Sequence, residues 1–164
     1  MLGTSTSTQT DSILQDETQA KIDQVESFYK ELEKKTSQAK EREKSITRLV
    51  NYLRSQGSPV ANRKLAEQII STSERSGGDY KMIVAIAGVE SGFCRANYKK
   101  YNCFGYLNNV QYSSFEMAFA ALIPKISREY VRVYGTNFKA FAKAYGIRSV
   151  DAKSELLAKY YNSL

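Results

Sequence analysis

The chain has 164 residues, of which 42% are hydrophobic and 25% are charged, enough for one modest domain with an appendage. It contains no His, which excludes Ser-His and Cys-His catalysis and His-containing metal sites, and its two Cys are too few for a structural zinc site. We therefore expect no metal and no cofactor.

The charge of the chain is uneven. Residues 1–56 carry nine Lys or Arg and nine Asp or Glu, so the whole net charge of +7 lies on residues 57–164. A basic surface favours an acidic partner, such as peptidoglycan with its peptide carboxylates, a teichoic-type polymer or nucleic acid. We expect no nucleic acid, because the sequence has no groove-reading motif and no stacking platform.

The first 12 residues are polar, and we expect them to form a disordered tail. Neither they nor the residues that follow show an export signal or an apolar run long enough to span a membrane. The start of the chain is therefore either a polar leader or a boundary downstream of an export signal.

Residues 13–56 predict one long amphipathic helix. Between residues 22 and 53, positions in alternating steps of three and four match the seam of a coiled coil. These positions are Ile22, Val25, Tyr29, Leu32, Thr36, Ala39, Glu43, Ile46, Val50 and Leu53. The helix is either a coiled-coil stalk, which would self-associate or bind a protein partner, or a single amphipathic helix folded back on the domain.

Residues 57–164 predict a mainly helical domain. Ser58 and Pro59 are the N-cap and first residue of a predicted helix that ends near residue 75, and Asp79 caps the next one. A small β-hairpin is predicted from Phe104–Leu107 and Val110–Tyr112, because the intervening Asn108 and Asn109 tolerate a positive φ.

The last third of the chain predicts three more helices. Ser113 and Glu116 form a capping box for a helix over about residues 114–133, which Pro124 should kink or split. Two further helices are predicted over about 137–145 and 150–163.

Glu90 is the candidate catalytic residue. It follows the apolar run Met82–Val89, at the point where Gly92 predicts the end of a helix. The negative end of the helix dipole and apolar neighbours disfavour a charged carboxylate, so we expect a raised pKa for Glu90. A carboxylic acid that keeps its proton is what glycosidic bond cleavage needs as its general acid. The alternative is an ordinary Glu at a helix end that faces solvent.

Two stretches resemble the lysozyme-like superfamily. Glu90-Ser91-Gly92 at a helix end resembles the catalytic motif of lytic transglycosylases. Tyr101-Asn102-Cys103-Phe104-Gly105, followed by Tyr112-Ser113-Ser114-Phe115-Glu116, resembles the peptidoglycan glucosaminidase branch, with its Asn-x-Phe-Gly strand and Tyr-Ser-Ser turn. The resemblance covers about residues 58–164. It implies a lysozyme-like fold, cleavage of β-1,4 bonds between MurNAc and GlcNAc, and Glu90 as general acid and base.

The resemblance and the wealth of Tyr together indicate substrate-binding residues around Glu90. They are Ser91, Asn102, Phe104, Gly105, Tyr106, Tyr112 and Tyr145. Tyr145 resembles a late Tyr of the family that contacts the catalytic Glu, although Gly146 stands where the family usually has Asn; the alternative is a core Tyr. Tyr rings stack on sugar rings, and the Tyr residues nearest the expected cleft are Tyr98, Tyr101, Tyr106 and Tyr112.

The second carboxylate of many glycosidases has no clear counterpart in the sequence. Residues 103–112 contain no Asp or Glu, and Glu116 is better interpreted as part of the capping box. Glu90 is therefore expected to act alone. The nucleophile would be the C6 hydroxyl of the sugar, as in lytic transglycosylases, or a substrate acetamido group, or water.

Cys94 and Cys103 flank the loop that follows the Glu90 helix. They form either a disulfide, which would hold the surroundings of Glu90 in place, or two buried free thiols. Their position on both sides of the loop favours the disulfide, and with it an oxidising compartment.

Two functions remain open at this point. The first is an enzyme that cuts the glycan strands of peptidoglycan, and the second is a non-catalytic module that binds the cell wall or assembles a partner on a lysozyme-like fold. Either one predicts an extracellular, cell-envelope or periplasmic location.

Overall fold

A computed structural model of the chain describes residues 7–97, 99–107 and 109–164, with side chains from residue 18 onward. The chain divides into two compact units, one ending at Glu43 and the other spanning Lys44–Leu164. The fold is mainly helical, as predicted, and none of the described residues forms a β-strand. No helix within the described ranges is both long and apolar enough to cross a membrane.

The helix α1 covers Ser7–Ser55, which includes the long helix predicted from the sequence. It begins inside the predicted disordered tail, whose first six residues lie outside the described residues. In the N-terminal unit several large apolar side chains of α1 are exposed: Ile22, Val25, Phe28, Tyr29 and Leu32. The predicted coiled-coil seam is therefore open to solvent along this stretch.

The last turns of α1 belong to the core of the C-terminal unit. Ile46, Leu49 and Leu53 are each less than 5% exposed, and Arg48 donates a hydrogen bond of 3.3 Å to the backbone oxygen of Leu164. The compact unit consequently begins at Lys44, whereas the sequence placed the domain boundary after residue 56.

The helix α2 covers Arg63–Arg75, and its N-cap differs from the predicted one. Asn62 is the cap, because its side-chain oxygen accepts a hydrogen bond of 3.0 Å from the backbone N–H of Leu65. The prediction of Ser58 as cap was wrong. Ser58 is buried, and its hydroxyl instead donates a 2.8 Å hydrogen bond to the carbonyl oxygen of Phe93.

The helix α3 covers Tyr80–Ser91 and is the buried centre of the C-terminal unit. The side chain of Asp79 accepts a hydrogen bond of 2.9 Å from the N–H of Lys81, and Gly92 ends the helix in the left-handed conformation with φ of 57°, so both predicted ends are confirmed. Every residue of Met82–Val89 is buried, because α2 and α7 both pack on α3.

The predicted β-hairpin is absent from the described residues, of which Asn108 is not one. A strand needs an extended backbone with negative φ, but Gly105 has a φ of 62° and Leu107 a φ of 50°. The segment is instead a coiled loop, because the buried side chain of Phe104 holds it against Phe119 with ring centres 5.7 Å apart.

After this loop a nearly continuous helix begins at Phe115. It consists of α4 (Phe115–Ile126), a π-helical turn (Ser127–Val131) and α5 (Arg132–Tyr134), which confirms the predicted helix. The widened turn begins three residues after Pro124, which cannot donate the helical i−4 hydrogen bond. The capping box predicted at Ser113 was wrong by one residue, since the N-cap is Ser114 and accepts from the N–H of Met117 at 3.3 Å.

The two last predicted helices are present as α6 (Phe138–Tyr145) and α7 (Val150–Asn162). The helix α7 packs on both α3 and α6, and α4 packs on α2. This arrangement brings the C-terminal end of α3, the loop after it, the π-helical turn and the end of α6 to one part of the unit.

Candidate functional site

Glu90 lies in the last turn of α3 and is half-buried. Burial raises the pKa of the Glu90 carboxyl above its ordinary value, and the positive charge of Lys153 opposes part of that rise. Lys153 reaches this end of α3 from α7 and donates a hydrogen bond of 3.1 Å to the carbonyl oxygen of Val89. The carboxyl therefore combines a raised pKa with partial access to solvent.

Gly105 lies directly against the carboxyl group of Glu90. A Cβ atom on Gly105 would overlap Oε2 of Glu90 and lie 3.3 Å from its Cδ. The positive φ of 62° at the same position also favours glycine, so two independent features require this residue. The loop that was expected to form a strand thus covers one side of the candidate acid with backbone.

Tyr145, at the end of α6, lies near enough to Glu90 to be affected by its charge. Burial and the negative charge of Glu90 hold the pKa of the Tyr145 phenol well above its ordinary value. Its hydroxyl donates a hydrogen bond of 2.9 Å to the carbonyl oxygen of Phe104, and its ring stacks on Phe141 at 5.5 Å. Tyr145 therefore fixes the loop at the residue before Gly105.

Tyr106 is half-buried and joins an aromatic cluster beside this loop. Its ring centre lies 5.8 Å from that of Tyr130 and 5.9 Å from that of Tyr145. Its hydroxyl donates a hydrogen bond to Oε2 of Glu129, which together with burial raises the pKa of Tyr106 far above its ordinary value. Glu129 lies in the π-helical turn, and nothing in its sequence surroundings indicated a place in the site.

Ser91 and Asn102 hold the loop from within, because both are buried. The hydroxyl of Ser91 lies 2.8 Å from the carbonyl oxygen of Cys103 and accepts a hydrogen bond of 2.9 Å from the N–H of Cys94. Asn102 donates to the carbonyl oxygen of Tyr106 at 2.8 Å. Their side chains act in this structure on the loop itself.

Cys94 and Cys103 form a disulfide, which confirms the predicted pairing. Both residues are buried, and the bond closes the loop between the end of α3 and residue 103. A disulfide indicates an oxidising compartment outside the cytoplasm.

The other Tyr residues expected near the cleft make none of the contacts described above or lie outside the described residues. Tyr101 packs edge-on against Phe115 at 5.1 Å, and Lys100 lies 5.0 Å from the centre of its ring. Tyr112 is half-buried, and burial raises its pKa. Tyr98 lies outside the described residues.

The chemistry that the site can perform is proton transfer at Glu90, because the carboxylate of Glu129 accepts the hydrogen bond of Tyr106. Glu116 is engaged elsewhere, in an ion pair of 3.1 Å with Lys64 that joins α4 to α2. Across the part of the chain that the structure describes, no three His, Cys, Asp or Glu residues come together in a group able to hold a metal ion.

Comparison of the chain with protein-family models, with curated protein sequences and with solved structures finds no match.

Proposed function

We propose that this protein cleaves the glycan strands of peptidoglycan, with Glu90 as general acid and then general base. The observation that supports this most directly is a half-buried carboxyl with a raised pKa, which lies against the backbone of Gly105 and is near enough to Tyr145 for its charge to raise the pKa of that phenol. Such a carboxyl is protonated at a higher pH than an ordinary Glu, as a general acid requires.

The reaction balances with one carboxyl. Glu90 donates its proton to the oxygen of the glycosidic bond as that bond to the anomeric carbon breaks. The Glu90 carboxylate then accepts a proton from the attacking hydroxyl, which is the C6 hydroxyl of the same sugar or a water molecule. Attack by the C6 hydroxyl gives an anhydro product, and attack by water gives hydrolysis. With the C6 hydroxyl, the substrate itself supplies the nucleophile, a role that a second carboxylate of the enzyme fills in many other glycosidases.

The proposed fold identity is lysozyme-like, of the lytic transglycosylase or glucosaminidase type. It rests on the resemblance of Glu90-Ser91-Gly92 and residues 101–105, and on the placement of Tyr145 beside Glu90. The scissile bond would be a β-1,4 bond between MurNAc and GlcNAc. The net charge of +7, carried by residues 57–164, suits the peptide carboxylates of the polymer.

The proposed location is extracellular, in the cell envelope or periplasmic, where both peptidoglycan and an oxidising environment are found. The exposed apolar positions of α1 suit self-association or attachment to a protein partner.

A second candidate function is a non-catalytic module that binds the cell wall or assembles a partner. It is favoured by the lack of any Asp or Glu among residues 103–112, where the second carboxylate of a glycosidase would be expected.

Mass spectrometry of peptidoglycan digested with the purified protein tests the proposal. Anhydro-muramyl ends, reducing muramic ends and reducing glucosamine ends can be distinguished, so one digest assigns the bond and the reaction. Glu90→Gln should lower cleavage by about 10²–10⁴-fold, because the amide has the same shape but cannot deliver the proton. Glu155→Gln, at an exposed position of α7, is the matched control. Binding of wild type without any new glycan ends would replace the first function by the second.

A further inference from the structure

Glu129 is a carboxylate beside the site that the proposed reaction does not use. It is exposed, lies in the π-helical turn Ser127–Val131, and accepts the hydrogen bond from the hydroxyl of Tyr106. We infer that Glu129 is a positioning residue that fixes the ring of Tyr106 as one wall of the glycan-binding cleft. The inference rests on the proposed function, because the wall is assigned to the glycan that Glu90 would cleave.

Tyr106 is held at both of its ends. Its carbonyl oxygen accepts the 2.8 Å hydrogen bond from the buried side chain of Asn102, and its hydroxyl donates to Glu129. Gly105, the preceding residue, lies against the carboxyl of Glu90. The position of the Tyr106 ring is therefore tied to the position of the candidate acid through a single peptide unit.

The π-helical turn explains how two consecutive side chains reach the same ring. Successive residues of an α-helix point about 100° apart, which would direct neighbouring side chains to different faces. A π-helical turn is wider, because it is closed by i→i+5 hydrogen bonds, and each of its residues turns through a smaller angle. Glu129 and Tyr130 thus both contact Tyr106, one through its hydroxyl and the other through its ring.

The result is an ordered aromatic cluster next to the loop that contacts Glu90, with Tyr106 and Tyr130 half-buried. Tyr130 and Tyr145 pack edge-on at 4.8 Å, and Tyr106 packs on both. Tyr rings present an apolar face to a sugar ring, and a ring fixed before binding loses less conformational entropy when the sugar arrives. Glu129 contacts the hydroxyl of Tyr106 and takes no part in the proposed reaction. Its removal should therefore weaken substrate binding and leave the chemical step unchanged.

The test compares Glu129→Ala, Tyr106→Phe and the double variant with wild type in cleavage of soluble glycan fragments. Each single variant should raise KM by about three- to tenfold with kcat unchanged, the loss of one charge-assisted hydrogen bond at an exposed position. The double variant should be no worse than either single one, because both remove the same bond. Glu129→Gln should recover most of the loss, since its amide oxygen still accepts from the Tyr106 hydroxyl. Glu155→Ala is the control for removal of an exposed carboxylate.

Other results would overturn either the inference about Glu129 or the proposed function, and the two can be distinguished. A KM of Glu129→Ala equal to that of wild type, or single effects that multiply in the double variant, would show that Glu129 does not act through Tyr106. If wild type cleaves no glycan, the proposed function fails, and sedimentation with insoluble peptidoglycan then decides the inference by the same variants. Weaker binding of Glu129→Ala would support the wall, whereas unchanged binding, or no binding by wild type, would overturn it.

Discussion

Gly105 touches the carboxyl group of Glu90 so closely that the loop leaves no room for a Cβ atom between the two residues. The hydrogen bond of 2.9 Å from Tyr145 to the carbonyl oxygen of Phe104 holds the loop in this position, and the buried Asn102 also holds it by donating to the carbonyl oxygen of Tyr106. The environment of the candidate acid is therefore set by backbone placement, which any side chain at residue 105 would change.

Gly105→Ala should lower glycan cleavage by about 10²-fold and destabilise the protein by about 1–2 kcal/mol. The methyl group would displace the Glu90 carboxyl, and small displacements of a reacting group lower reaction rates by about this factor. The positive φ of 62° adds the cost of left-handed backbone in a residue with a side chain. Initial cleavage rates and thermal melting measure the two effects.

Gly57→Ala separates backbone strain from displacement of Glu90. Gly57 has a φ of 65°, but a Cβ atom there would meet Arg95 only at an ordinary 3.8 Å. It should show the stability loss without the loss of cleavage. Equal activity of the two variants would mean that the contact between Gly105 and Glu90 has no role in the reaction.

The helix ends around Glu90 could be predicted because they depend on neighbours in sequence. Asp79 and Gly92 act through their own backbone and side chain, and both ends were found where the sequence indicated. The coiled loop that replaces the predicted β-hairpin could not be predicted, because it depends on distant residues. Phe119 takes the side chain of Phe104 into the core, and Tyr145 fixes the backbone of Phe104, which leaves a coiled loop.

Glu90→Gln should change the pH dependence of stability. Burial raises the folded-state pKa of Glu90 above its unfolded-state pKa of about 4.3, so the folded protein binds more protons between the two values. Its contribution to stability is complete below the unfolded-state pKa and is lost as the pH rises through the raised folded-state pKa. The melting temperature of Glu90→Gln relative to wild type should therefore be higher at about pH 7 than at about pH 4.

Lys153→Met tests the same pKa in another way, because it keeps the Glu90 carboxyl and removes the positive charge near it. The pKa of Glu90 should rise further in this variant. The melting temperature of the variant should therefore fall further below that of wild type as the pH rises from acidic to neutral. If the difference between Glu90→Gln and wild type stayed constant over this range, the pKa of Glu90 would not differ between folded and unfolded protein.

The site residues, like the elements of the fold, include some that could be predicted from the sequence and some that could not. Glu90 and Cys94 were accessible to sequence reasoning, because one ends a helix and the other has a single possible partner in the chain. Glu129 was not, since its approach to Tyr106 depends on a π-helical turn that the helical pattern of residues 114–133 does not reveal. Ser58 likewise looked like a helix cap, but its hydroxyl is used 35 residues away at Phe93.

The disulfide should contribute about 2–3 kcal/mol, because it closes a short loop and restricts the unfolded chain. Cys94→Ala together with Cys103→Ala should lower the melting temperature by about 5–10 °C for a unit of this size. Both side chains are buried, so reduction of wild type should need partial opening and give the same loss. Peptide mapping without reductant should recover residues 94 and 103 in one linked pair, and an unchanged melting temperature in the double variant would contradict the stabilising role.

A fragment of residues 44–164 should fold, whereas a fragment of residues 57–164 should not. Residues 44–56 bring Ile46, Leu49 and Leu53 into the core, and burial of each such side chain stabilises a protein by about 1.5–3 kcal/mol. Their combined loss would be comparable to the whole stability of a typical domain, which is about 5–15 kcal/mol. The shorter fragment would also lack the hydrogen bond from Arg48 to Leu164.

Thermal melting of the two fragments and of Leu49→Ala in the full chain decides the domain boundary. The longer fragment should melt within a few degrees of the full chain, and Leu49→Ala alone should cost about 2–5 kcal/mol, because Leu49 is completely buried. If residues 57–164 melt like the longer fragment, the end of α1 is not part of the core. In that case the whole of α1 would be separable from residues 57–164, as the coiled-coil stalk alternative predicts.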